Sequence, residues 1–122
     1  MENLTKKKCV PCEGGIPPLE GEEIEKLLSQ IIGWELEEVD GHKQIAKEFK
    51  FKDFLKALEF VNKIGKIAES EGHHPNIEIN YSKVKLSNYT HAIGGLHEND
   101  FILAAKIDKN VKELIWVLDV DW

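Results

Sequence analysis

The chain has 122 residues, of which 42% are apolar and 31% charged, a balance that fits one domain around one core and excludes a disordered chain. Apolar runs such as Leu114 to Leu118 are far too short for a membrane span. All sixteen basic residues are Lys, set against twenty-two acidic ones; the net charge of -6 disfavours nonspecific nucleic-acid binding, and without Arg there is no planar fork to grip phosphate bidentately.

Residues 1–18 read as an N-terminal arm and residues 19–122 as a single domain. The arm opens polar and basic (Lys6, Lys7, Lys8) with no apolar segment behind it, so no signal peptide is expected and the cytoplasm is the expected location. Cys9 and Cys12 form the one Cys-x-x-Cys pair, ahead of Gly14-Gly15 and Pro17-Pro18. Two thiols cannot complete a four-ligand zinc site without histidine, and a redox pair belongs at a helix start in a strand-helix-strand unit. A structural or incidental loop pair is therefore expected.

Leu19 to Ile32 places Ile24, Leu27, Leu28, Ile31 and Ile32 on one helical face, with acids at its start and Gly33 placed to stop it. Trp34 to Val39 and Lys43 to Phe51 flank Asp40-Gly41, a tight-turn signal, and predict a hairpin. Asp53 to Ser70 is the longest predicted helix, with Phe54, Leu58, Val61, Ile64 and Ala68 at three-four spacing, Asp53 as cap and Gly72 as breaker. Asn76 to Tyr89 alternates through Ile77, Ile79, Tyr81, Val84, Leu86 and Tyr89 around a predicted Ser82-Lys83 turn, with Tyr81 as a packing residue. Glu98 to Leu114 returns to helical spacing through Leu103, Ala104, Ile107 and Val111, and Ile115 to Trp122 is an apolar tail. The order α-β-β-α-β-β-α predicts an α+β fold, a four-stranded antiparallel sheet with helices on one face. Open edges of such a sheet call for a partner, so self-association is expected.

Chemistry-bearing residues concentrate in two segments. In Glu69-Ser70-Glu71-Gly72-His73-His74-Pro75, Pro75 favours an extended backbone at His74, so the two imidazoles point to opposite sides and need not share a role. In Thr90-His91-Ala92-Ile93-Gly94-Gly95-Leu96, His91 ends a strand and the glycines permit close backbone approach. Asp100 follows in the first turn of the last helix, where it could orient an imidazole, bind a ring nitrogen donor or complement the helix dipole. Taken singly, a His-His-Pro is more often a solvated turn, Asp100 a helix-start charge and Glu69 a polar residue on an exposed stripe. His42, beside its turn, reads as solvent-facing.

The spacing of Glu69, His73-His74-Pro75, Tyr81, His91 and Asp100, with the Gly14-Gly15-x-Pro-Pro-Leu19 lead-in, resembles the pterin-4a-carbinolamine dehydratase family. The likeness runs from that lead-in to the last helix. It implies the same one-sided antiparallel sheet, a homo-oligomer (dimer or tetramer), a pterin substrate, and neither a metal nor an organic cofactor. The implied activity removes water from a 4a-hydroxytetrahydropterin to give quinonoid dihydropterin in tetrahydropterin recycling. By the same resemblance His73, His74 and His91 are the catalytic imidazoles, with Asp100 and Glu69 as substrate-binding residues. An imidazole titrates near pH ~6.5, so one residue type can act as acid or base at neutral pH. His73 and His91 are the expected proton-transfer pair, and His74 the ring that holds the pterin.

Three departures stand out: Asn99 where animal members often carry Arg, His97 where Ser or Thr is usual before the last helix, and Ile77 where an aromatic often follows the His-His-Pro. The replacement at His97 predicts a weaker N-cap. Two rival readings remain open at this level. One is a zinc protein using Cys9, Cys12 and the histidines. The other is a noncatalytic dimerisation or coactivator module, since some animal members of the family bind a homeodomain transcription factor.

Overall fold

The computed structural model describes residues 4–9 and 16–118, with side chains as far as residue 110. Cys12 and the end of the apolar tail lie outside the described residues. Along the chain run α1 (Gly21–Leu28), β1 (Glu35–Val39), β2 (His42–Lys50), α2 (Phe54–Glu71), β3 (Asn76–Asn80), β4 (Lys83–Asn88) and α3 (Glu98–Leu118). The strands form one antiparallel sheet in the order β1-β2-β4-β3, the α+β arrangement the hydrophobic periods predict.

Three boundaries differ from expectation. α1 covers only part of 19–32. Leu19 is held outside the helix by its N–H on the Leu96 carbonyl (2.8 Å), and Ser29 ends it by turning its Oγ back to the Lys26 carbonyl (2.7 Å). The next bonds, Gln30 N–H to Leu27 O and Ile31 N–H to Leu28 O, span three residues rather than four, yet they still deliver Ile31 to the core. Helical spacing therefore reads on through a segment that is no longer α-helix. The second hairpin turns at Tyr81-Ser82, one residue earlier than predicted. Ile77 and Ile79 pair with Leu86 and Val84, which closes the ladder at Asn80 opposite Lys83. Tyr81 is thus a turn residue at φ 57°, 69% exposed, and not the packing residue its alternation suggests. α3 runs on to Leu118, past its predicted end at Leu114.

The turn and cap signals of the first hairpin and α2 hold, but the apolar faces are only partly as expected: Phe54 is 43% exposed while Ala57 and Phe60 join Ile64 and Ala68 in the core, and Ile32 is 79% exposed. Asp40 and Gly41 both take positive φ (49° and 81°), the twist a two-residue hairpin turn needs. Asp53 caps α2 by accepting the Lys56 N–H at 2.9 Å, an interaction worth about 1 kcal/mol. Ile45, Phe49, Val84 and Leu86 line the covered face of the sheet, fully buried with Phe60 and Ile64 of α2 and Phe101, Leu103 and Ile107 of α3. Leu4 of the arm joins the same core at 4% exposure. Among the described residues no helix is long and apolar enough to cross a membrane.

Candidate active site

α2 ends at the site through a two-bond cap. Gly72 takes φ 65°, its N–H reaches the Glu69 carbonyl (3.3 Å), and the His73 N–H reaches the Ala68 carbonyl (3.2 Å). This reversal sends His73 inward and His74 outward, as an extended pair before Pro75 should point. The His73 side chain is 12% exposed and donates Nε2–H to Asp100 Oδ1 at 2.6 Å. The His74 side chain is 60% exposed and meets Glu69 Oε1 at 2.8 Å.

Asp100 is fully buried behind His73. Its Oδ2 accepts the Thr90 hydroxyl (3.0 Å) and the His97 N–H (2.9 Å), so the carboxylate serves three donors and does not form part of the cavity wall. His97 in turn accepts the Asn99 N–H on Nδ1 at 3.0 Å. The two side chains make a reciprocal cap at the start of α3, with imidazole in the place of a hydroxyl and Asp100 in the place of a glutamate. The weak N-cap expected from His97 is therefore corrected: the ring nitrogen supplies the acceptor that Ser or Thr would have provided.

His91 lies in a single 3-10 turn, His91–Ile93, on a loop closed by the Thr90 and Gly95 backbones. Gly95 is required there, because a Cβ on it would stand 2.7 Å from Pro18 Cβ. His91 Nδ1 lies 3.0 Å from the Tyr89 hydroxyl. Tyr89 also stacks on His42, ring centroids 3.8 Å apart, so His42 is half-buried on the sheet rather than facing solvent.

His73, His74, His91 and Glu69 line one open cavity of about 750 Å³. Cys9, Glu71, Tyr89 and Asn99 line it too. Glu71 joins the arm to both long helices: it accepts the Cys9 N–H (2.9 Å) and pairs with Lys106 (2.6 Å). Burial works to raise the Glu71 carboxyl, but Lys106 and the Cys9 N–H outweigh it, and the net shift is downward. Burial, and after it the Glu71 charge, pushes the Cys9 thiol up to about 12, so it is a neutral S–H, donated to the Asn99 carbonyl at 3.5 Å. Neither Glu71 nor Lys106 stood out in the sequence, where they lie 35 residues apart. Tyr89 did carry a usable signal, since residues two apart on an extended chain share a side.

Among the described residues, which do not include Cys12, no group of three or more His, Cys, Asp or Glu is placed to hold a metal ion. What the wall does offer is imidazoles in different settings, one locked to a buried carboxylate, one to a phenol and one to an exposed carboxylate. Such a set suits proton transfer to and from a ligand in the cavity.

Known proteins resemble this chain in sequence and fold. The family model described as pterin 4 alpha carbinolamine dehydratase matches residues 17–110. A protein of Rickettsia canadensis bearing that family's name is 52% identical over 112 residues, 91% of this chain and 100% of its own. One from Rubrobacter xylanophilus is 47% identical over 109 residues, 89% of this chain and 99% of its own. The crystal structure of a transcriptional coactivator/pterin dehydratase from Brucella melitensis superposes with a TM-score of 0.68 at 34% identity, covering 75% of this chain and 96% of that one. The matched segment spans both histidine-bearing loops and the sheet between them, and on that ground this chain belongs to the pterin-4-alpha-carbinolamine dehydratase family.

Proposed function

We propose that this protein dehydrates a 4a-hydroxytetrahydropterin to the quinonoid dihydropterin, in the recycling of tetrahydropterin, by histidine acid-base catalysis. The observation that carries the reading is that His73, His74 and His91, from the two loops flanking the β3-β4 hairpin, line one cavity. The reaction needs one proton delivered and one removed. A proton passes to the 4a-hydroxyl, the C4a–O bond breaks, the lone pair of the adjacent ring nitrogen forms the C=N bond, and the proton on that nitrogen goes to a base. Water is the only other product. Asp100 holds the Nε2–H of His73, which leaves Nδ1 of the neutral ring with its lone pair as the base. His91 supplies the proton. His74, more exposed and backed by Glu69, holds the pterin. Asp100 thus acts through His73 rather than on the substrate.

A stopped assay of 4a-hydroxytetrahydropterin breakdown tests this. His73→Ala and His91→Ala should each lower kcat about 10²- to 10⁴-fold, the usual size of a general acid or base contribution. Wild-type rates in both would leave a noncatalytic binding module as the better reading. The same proposal makes the protein a homo-oligomer, supported by β1 and β3 standing as the outer strands of the sheet. Sedimentation showing only monomer at micromolar concentration would contradict that part.

A further inference from the structure

We infer that Tyr89 is a positioning residue for His91, its phenol binding Nδ1 of the imidazole so that the ring carries its proton on Nε2. The inference rests on the dehydratase reading, since it assigns how His91 is kept as a proton donor. Tyr89 lies between two imidazoles. On one side its ring stacks on His42 at 3.8 Å and 24°; on the other it tilts against His91 at 4.2 Å and 37°, with its hydroxyl 3.0 Å from His91 Nδ1.

The stack is anchored across the open face of the sheet. Gln44, 7% exposed, donates its amide N–H to Glu37 Oε1 (2.9 Å), and Glu37 Oε2 meets Lys85 (3.2 Å). With its nitrogen turned to a carboxylate, Gln44 presents its oxygen to His42 Nε2 at 3.2 Å, so His42 donates there. β1, β2 and β4 together therefore hold the ring that holds Tyr89. A phenol is a better donor than acceptor, and a neutral imidazole nitrogen a better acceptor than a phenol oxygen. Tyr89 therefore donates to Nδ1, and the single proton of the neutral His91 ring sits on Nε2; as that proton passes to the leaving hydroxyl the phenol proton moves to Nδ1, so the ring stays neutral and the phenolate regains a proton from solvent after water leaves. His73, held by Asp100, has the complementary arrangement, with Nδ1 bare. The two rings are thereby set for opposite jobs.

Tyr89→Phe keeps both ring contacts and removes only the hydroxyl. Wild type, Tyr89→Phe, His91→Ala and the double variant are compared in the dehydration assay at one pH, with thermal melting to confirm folding. Losing one hydrogen bond should lower kcat about three- to tenfold with KM unchanged. On the His91→Ala background the same change should alter kcat less than about twofold, because Tyr89 acts through the missing ring. Ring ¹⁵N spectra should show His91 protonated on Nε2 in wild type, and the Nδ1–H form gaining in Tyr89→Phe. If His91→Ala is slow while Tyr89→Phe turns over at the wild-type rate, or loses equally on both backgrounds, the positioning role is overturned and the dehydratase reading stands. If wild type is no faster than the uncatalysed reaction, the dehydratase reading fails and this inference falls with it.

Discussion

Replacing Asp100 by Asn separates what this residue does for the fold from what it does for His73. The carboxylate accepts three hydrogen bonds, from His73 Nε2–H (2.6 Å), the Thr90 hydroxyl (3.0 Å) and the His97 N–H (2.9 Å). Asparagine keeps the shape but has one oxygen and one NH₂. Turned so that NH₂ faces the His97 N–H, it sets donor against donor and breaks the α3 cap, at about 1 kcal/mol for the cap and about 1 to 3 kcal/mol for the buried unsatisfied donor. Turned the other way, NH₂ faces His73, whose ring can adapt by moving its proton from Nε2 to Nδ1. The second arrangement costs less, because it retains all three contacts and loses only charge assistance, about 1 to 2 kcal/mol. The expected variant is therefore folded, with a modest loss in urea denaturation and the wrong His73 tautomer. Its base nitrogen then carries a proton, and kcat should fall on the order of 10²- to 10⁴-fold with KM little changed. Ring ¹⁵N spectra report the tautomer directly. A folded Asp100→Asn protein with wild-type kcat, or with His73 still protonated on Nε2, would refute the reasoning.

Four further outcomes follow from named contacts. Gly95→Ala places a Cβ 2.7 Å from Pro18 and should cost about 1 to 3 kcal/mol in urea denaturation; unchanged stability would mean the Pro18 segment is not packed there. Phe60→Ala empties a site in contact with Phe49 and Phe51 (ring centroids 4.8 and 4.9 Å) and should cost about 3 to 5 kcal/mol. Cys9, held at about 12, should react with iodoacetamide at pH 8 at least about tenfold more slowly than a free thiol, read in a Cys12→Ser background; a rate equal to that of free thiol contradicts its burial. Glu37, held down chiefly by the Gln44 hydrogen bond, and Glu71, held down by Lys106 and Cys9 against its burial, both bind protons more readily in the unfolded chain. Their stabilisation is present above the unfolded value of about 4.3 and is lost as pH falls through the folded values. Urea midpoints should therefore drop below about pH 4.3, less steeply in Glu71→Gln; an unchanged slope in that variant would contradict the shift.

Elements built on strong local rules were legible in the sequence. Asp40-Gly41 needs positive φ twice, Asp53 and Gly72 bracket α2, and the apolar periods name core residues such as Ile24, Ile64, Leu86 and Leu103, though on α2 they put Phe54 inward, where it is 43% exposed, and pass over Ala57 and Phe60. Boundaries failed where tertiary contacts overrule local preference. The α1 segment keeps helical spacing after its hydrogen bonds tighten, and Tyr81 continues a strand's alternation into a turn whose place is set by the pairing of Ile77 and Ile79. The site was legible as far as chemistry clusters along the chain: the His-His-Pro segment and the His91 loop could be marked because each is short. Asp100 could be marked but not placed, since only the fold shows it behind His73. The tie between Cys9, Glu71 and Lys106 was invisible, because its members lie on the arm, the end of α2 and the middle of α3. His42 gave no sign of its role either; its partner Tyr89 lies on β4's extension, brought near by the pairing of β2 with β4.

The most direct measurement is the rate of water loss from 4a-hydroxytetrahydropterin by wild type and by the double variant His73→Ala/His91→Ala, each compared with the uncatalysed rate in the same buffer. The predicted result is a wild type at least about 10⁴-fold above background and a folded double variant within about tenfold of background, removal of both proton-transfer groups leaving only binding. A folded double variant that retains wild-type kcat would contradict the claim that these imidazoles perform the chemistry.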